Sequence, residues 1–216
     1  MAMFAMASIP LINKIAIPQT TQAWFADDAA NGGKLSRLRS WWDELTIHGP
    51  RYGYFPNASK TFLLVKQHKL DQAKELFDRT GIQITVEGRP YLGRALGTEA
   101  FVTEILKAKV AGWTKEIERL TSFAHMHPHA AFASLTHGLI GRWTYTLRVS
   151  RLSSTEILQP MEDQLRQSLL PAITGQPPPD DATRNLLAMP NRLGGLGVVN
   201  PLMMSTSQFE TSQKVC

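Results

Sequence analysis

Cysteine is all but missing from this chain: Cys216, the last of 216 residues, is the only one. An intrachain disulfide and a cysteine-based metal site are therefore excluded, which suits a reducing intracellular compartment, cytoplasm or nucleus. Acidic residues are missing from the amino-terminal segment, since residues 1–26 contain neither Asp nor Glu. No carboxylate ligand, base or acid can come from that stretch. Long apolar runs are absent as well. Residues 1–12 are apolar but too short to span a bilayer, and no positive charge precedes them as a secretory signal requires. They read as a buried helix whose first turns have been cut away, and no membrane partner is expected. No internal repeat is evident.

What is present is ordinary for a globular chain, with 43% hydrophobic and 19% charged residues over a length that permits one large or two small domains. The 23 Lys and Arg outnumber the 18 Asp and Glu, for a formal charge of +5. That excess suits either a polyanionic partner or a simply solvated basic surface.

The first acidic residues are the adjacent pair closing Trp24-Phe25-Ala26-Asp27-Asp28. Ala23 to Ala26 and Ala29-Ala30 can pair as a tight hairpin, with Asn31-Gly32-Gly33 closing the second strand, so both carboxylates project from its tip. From Lys34 to His48, Leu35, Leu38, Trp41, Trp42 and Leu45 recur at helical spacing and Gly49-Pro50 ends the helix. Thr61 to Val65 reads as a strand, Leu70 to Phe77 as a short helix ended by Gly81, and Ile82 to Val86 as another strand. This order is α+β.

After Gly97 the pattern turns helical. Leu106, Val110, Trp113, Ile117 and Leu120 form one apolar stripe, with Lys107, Lys115 and Arg119 off it. A second helical region is expected from Pro128 to Arg148 and a third from the capping-box pattern Ser153-x-x-Glu156, carrying Leu158, Met161, Leu165 and Leu169 inward. Pro160 kinks that third region or marks its true first turn. Gly175-Gln176-Pro177-Pro178-Pro179 reads as a stiff linker before a short helix at about Asp181 to Met189. The polar stretch after Pro201 is expected to be disordered. The implied organisation is 1–97, 98–174 and 175–216.

An isolated Asp-Asp is equally what a solvated turn presents. Here it is followed, in order, by Gly53-Tyr54-Phe55-Pro56-Asn57-Ala58-Ser59-Lys60-Thr61 and by Tyr91-Leu92-Gly93. Together these resemble the later palm motifs of retroelement reverse transcriptases: the [FY]-A-D-D hairpin, the G…N-x-x-K-T segment and the Y-L-G turn. Met1 to Leu11 is similar to the second half of the family's G-D-P-L-A-M helix, without its Gly-Asp-Pro. Pro128 to Arg148 and Arg192-Leu193-Gly194-Gly195-Leu196-Gly197 resemble the helical region that follows the palm.

The resemblance implies a partial palm, an antiparallel sheet with helices on one face, followed by an all-α thumb-like region. It implies an RNA-directed DNA polymerase of a retrotransposon, with an RNA template, a DNA primer and dNTP as partners and Mg2+ as cofactor. Asp27 would be the principal metal ligand and Asp28 its partner, since Mg2+ prefers oxygen ligands and nucleotidyl transfer uses two such ions. Lys60 would stand near the leaving pyrophosphate, where a cation stabilises charge or donates a proton. Tyr91, Leu92 and Gly93 would grip the primer near its 3′ end. The family also requires a further aspartate upstream of the hairpin, and residues 1–26 have none. The isolated chain is therefore expected to be a fragment that is inactive alone.

Three other patterns stand apart from the resemblance. His125, His127 and His129 alternate around Pro128, but a metal site would need them to converge with a fourth ligand such as His137. Arg142-Trp143, Tyr145, Arg148 and Arg151 interleave cations with aromatics, which suits contact with nucleic acid through Arg142 and Arg148 as well as a buried Trp143 among exposed arginines. Gly194-Gly195-x-Gly197 reads as turn chemistry rather than a phosphate loop. Two further readings remain open: a non-catalytic nucleic-acid-binding module, and a relic reading frame whose partial palm would leave an exposed sheet edge.

Overall fold

The computed structural model describes residues 2–152 and 154–215. The chain divides between Arg89 and Pro90 into two compact units, earlier than the boundary at 97 read from composition. Both helices and sheets are present, so the fold is mixed α+β.

The first unit begins with helix α1 (Ala2–Lys14), strands β1 (Thr21–Phe25) and β2 (Asp28–Gly32), and helix α2 (Leu35–His48). Strand β3 (Phe62–Leu64), helix α3 (Leu70–Leu76) and strand β4 (Gln83–Thr85) follow. Its core gathers Trp41, Trp42 and Leu45 from α2, Leu63 from β3, Ala73 from α3, and Leu11 from α1. The two tryptophans are thus core, as their helical spacing implies. Arg39 of α2 reaches the Leu76 carbonyl at 2.6 Å while pairing with Asp43 at 3.0 Å, which ties α2 to the end of α3.

Two expectations fail in this unit. The apolar amino-terminal helix is not buried: Met3, Phe4, Met6 and Ile9 are exposed, and Leu11 is the residue of α1 that enters the core. The strands also do not form one antiparallel sheet. β1 and β2 make their own antiparallel pair, whereas β3 and β4 pair in parallel, Phe62 with Gln83 through Leu64 with Thr85. The reason is the connection, because the crossover through α3 returns the chain to the end where β3 began, and such a crossover yields parallel strands.

Strand β5 (Gly88–Tyr91) carries the division between the units and is joined by a tight turn to β6 (Arg94–Gly97). The second unit then builds on the 26-residue helix α4 (Glu99–Ala124), N-capped by Thr98, whose hydroxyl accepts the Phe101 N–H at 3.3 Å. Leu106, Val110, Trp113 and Ile117 are buried as one stripe. Helices α5 (Pro128–Ser134) and α6 (Ile140–Val149) are joined by a π turn over Leu135–Leu139. Helices α7 (Gln159–Gln164) and α8 (Leu170–Thr174) are joined by another over Leu165–Leu169. Pro160 lies in the first turn of α7, so it marks that helix's start rather than a kink. Ser153 of the expected capping box lies outside the described residues; Ser154 caps the preceding 3₁₀ turn, its hydroxyl accepting the Glu156 N–H at 3.2 Å. Leu158, Met161, Leu165 and Leu169 are all buried with Trp143 and Leu135 in one core.

Helices α9 (Asp181–Ala188) and α10 (Pro201–Val215) complete this unit. Helix α10 corrects the expected disordered tail. Asn200 Oδ1 accepts the N–H groups of Leu202 at 2.9 Å and Met203 at 3.4 Å. Asn-Pro at a helix entry is a start signal. Gln208 of α10 accepts from Arg148 Nε of α6 at 2.7 Å, and Ser205 is buried.

A buried ion pair locks the Gly-rich segment against α7. Arg184 donates to both Glu162 oxygens at 2.6 and 2.8 Å, and to the Val198 and Val199 carbonyls at 2.7 and 3.3 Å. Gly194 and Gly197 take φ of 84° and 68°. A Cβ on Gly195 would stand 2.0 Å from the Met189 carbonyl oxygen. The glycines serve a turn, as read from the sequence, and Gly195 also permits a close backbone approach.

Candidate functional site

The register of the first hairpin, from Thr21 opposite Gly32 to Phe25 opposite Asp28, leaves Ala26 and Asp27 as the two turn residues. Tight two-residue loops need a positive φ at the first central position, and Ala26 supplies it with φ 51°. For an L-residue that conformation costs on the order of 1–2 kcal/mol. Strain of this kind concentrates at working turns. Its result is geometric: Asp27 occupies the turn, Asp28 opens β2, and both are exposed. Neither carboxylate has a hydrogen-bond or ion-pair partner among the described residues.

The turn is held from behind by the next motif. The Tyr54 hydroxyl donates to the Asp27 carbonyl at 2.9 Å, and its ring meets the Trp24 ring edge-on with centroids 5.2 Å apart. Trp24 in turn donates from Nε1 to Gln22 at 3.1 Å. The Gly53-Tyr54 end of the second motif therefore anchors the hairpin.

The Asn57 to Thr61 end of that motif folds as a 3₁₀ turn over Ala58–Lys60. Asn57 Oδ1 accepts the Lys60 N–H at 3.3 Å and the Ser59 hydroxyl at 2.7 Å, and Thr61 Oγ1 donates to the Asn57 carbonyl at 2.8 Å. Asn57 and Thr61 are thus turn-forming residues, and they hand the chain to β3. Lys60 is exposed. No hydrogen bond or ion pair joins it to Asp27 or Asp28 among the described residues.

In the second unit, Tyr91, Leu92, Gly93 and Arg94 form the turn between β5 and β6. Leu92 has φ 47° and Gly93 φ 77°, so both central residues are left-handed, the type I′ pattern that favours Asn, Asp or Gly. Leucine at the first of these positions is an outlier. Two side chains hold it there. The Tyr145 hydroxyl of α6 donates to the Leu92 carbonyl, and Lys109 Nζ of α4 donates to the Gly93 carbonyl at 2.6 Å and lies 3.4 Å from the Thr146 hydroxyl. Burial lowers the Lys109 ammonium pKa below the usual lysine range. A Cβ on Gly93 would stand 3.0 Å from Tyr145 Cε1. Sequence reasoning misses Lys109 because it lies off the stripe of α4 and belongs to no motif; Tyr145 reads there only as one aromatic among the arginines.

The two arginines read as nucleic-acid contacts are engaged within the protein. Arg142 pairs with Glu116 at 2.8 Å, and Arg148 docks α10 through Gln208. Trp143 is wholly buried, so it is core. Among the histidines, His127 lies against the Phe123 ring at 5.0 Å. Among the described residues no group of three or more His, Cys, Asp or Glu could hold a metal ion. Asp27 and Asp28 offer two adjacent carboxylates to a hard cation, and among the described residues no third carboxylate or histidine stands with them. Among the described residues no helix is long and apolar enough to cross a membrane.

No family model, no curated protein and no solved structure matches this chain.

Proposed function

We propose that this chain is the later part of a retroelement reverse transcriptase, an RNA-directed DNA polymerase, carrying the last palm motifs and the helical region after them. The observation that carries the reading is the Phe25-Ala26-Asp27-Asp28 hairpin, whose strained turn presents two unpartnered carboxylates and is braced by Tyr54 of the motif that follows it in the family. The turns at Asn57 to Lys60 and at Tyr91 to Arg94 follow in the family's order. In the intact enzyme, Asp27 and Asp28 would share Mg2+ with a carboxylate from an upstream segment, Lys60 would act at the departing pyrophosphate, and the Leu92-Gly93 turn would meet the primer. The partners would be an RNA template, a DNA primer and dNTP.

The test is primer extension on an RNA template with Mg2+ and dNTP. The chain is compared with itself joined to a fingers and early-palm segment that contributes the upstream aspartate. Extension by the joined protein and none by the chain alone is the expected result. The incomplete carboxylate set also favours a second reading, a nucleic-acid-binding module without catalysis. It predicts salt-dependent binding that survives Asp27→Asn and Asp28→Asn.

A further inference from the structure

The second unit contains a cleft of about 910 Å³ between the β6–α4 junction and the segment after α6, lined by Arg94, Lys107, Arg151, Ser150, Glu99 and Glu156 among others. Arg94, Lys107 and Arg151 are exposed, and none has an ion-pair or hydrogen-bond partner among the described residues. Cations left unpaired around one cavity repel one another, and an anion entering it is attracted by all three. Ser150 adds a neutral hydroxyl to the lining. The residue is 4% exposed and lines the cleft. A hydroxyl in the lining of a cationic cleft can donate to an oxyanion that enters it.

We propose that this cleft is a phosphate-binding site. Two arginines supply planar donor forks matched to phosphate oxygens, Lys107 supplies a point charge, and Ser150 supplies a neutral donor. The lining contains no aromatic side chain, so nothing there stacks on a base. The floor is aliphatic, from Ala95, Leu106 and Leu152. Glu99 and Glu156 oppose the three cations, offset their mutual repulsion, and weaken the site. Both a phosphodiester backbone and a free phosphate compound present this chemistry. The proposal is independent of the polymerase reading, since it uses neither Asp27 nor Asp28.

The test is equilibrium binding by the full chain, using three probes: a fluorescent single-stranded oligonucleotide, the same oligonucleotide with every base removed, and inorganic tripolyphosphate. Lys107→Ala and Arg151→Ala are each expected to weaken binding about fivefold or more, Ser150→Ala to weaken it less, and Glu156→Gln to tighten it. Lys214→Ala, which removes a cation that does not line the cleft, is the control and leaves affinity unchanged. Equal binding of the abasic and base-bearing strands assigns the site to a strand backbone. Binding of tripolyphosphate without either strand assigns it to a free phosphate compound. A tighter Glu156→Gln complex cannot arise from misfolding, so it keeps the test decisive if an alanine variant folds poorly. The proposal is overturned if no probe binds, or if probes bind with affinities that the cleft variants move no more than Lys214→Ala does.

Discussion

Replacing Gly93 by alanine separates the clamp on the second hairpin from ordinary backbone cost. Gly93 has φ 77°, and an alanine held there loses about 1–2 kcal/mol from the left-handed conformation alone. Its Cβ would also stand 3.0 Å from Tyr145 Cε1. The ring must give by a few tenths of an ångström, which disturbs the hydrogen bond from its hydroxyl to the Leu92 carbonyl, a contact contributing up to about 1 kcal/mol. Gly93→Ala is therefore expected to cost up to about 2–3 kcal/mol, the backbone cost plus the part of that hydrogen bond which is lost. Gly175 provides the control within the same unit, with φ 67° and no atom within 4 Å of the place a Cβ would take. Gly175→Ala should cost the backbone component only, leaving a difference of up to about 1 kcal/mol. Both substitutions reduce unfolded-chain entropy alike, so that contribution cancels.

Urea unfolding of both variants reads the difference directly. A double-mutant cycle adds the decisive arm: with Tyr145→Ala in place, Gly93→Ala should cost no more than Gly175→Ala. If Gly93→Ala is no worse than Gly175→Ala in the otherwise unchanged chain, the ring does not brace the turn.

Two further outcomes are expected. Removing one partner of the buried Arg184–Glu162 pair, as in Arg184→Ala, should cost about 3–5 kcal/mol by leaving the other charge buried, while Arg184→Met with Glu162→Leu should cost less; equal losses in denaturant would contradict the pairing. Because burial lowers the Lys109 pKa in the folded chain from its ordinary value of 10.5, the unfolded chain binds the additional proton between the two values. Stability then rises with pH through that window, and the charged-state penalty, full below the folded pKa, is gone by about 10.5. Lys109→Met should abolish this rise, and a stability difference between the two proteins that is flat with pH would contradict it.

The parts legible in the sequence were those written in local patterns. The apolar spacing of α2 and of α4 marked both helices and their buried faces. The Ala-Asp-Asp turn followed from its flanking strand residues, and Pro160 and the glycines after Arg192 indicated their local geometry. Expectation and structure part where long-range partners decide. Nothing local distinguishes parallel from antiparallel pairing of β3 with β4. Exposure of Met3, Phe4, Met6 and Ile9 reflects what α1 meets rather than its composition. Helix α10 was hidden by its Ser and Thr content, although Asn200-Pro201 marked its start. The two hairpin turns were legible in their motifs, whereas the side chains that brace the second were not: Lys109 and Gly93 are 16 residues apart, and Tyr145 is 53 residues from Leu92.

Whether Asp27 and Asp28 are polymerase carboxylates awaiting an upstream partner is decided by single-turnover primer extension with the joined protein and its Asp27→Asn form. The joined protein should extend the primer and Asp27→Asn should abolish extension, with the affinity for primer and template unchanged. Extension that persists in Asp27→Asn would show that the hairpin carboxylate is not part of the reacting centre.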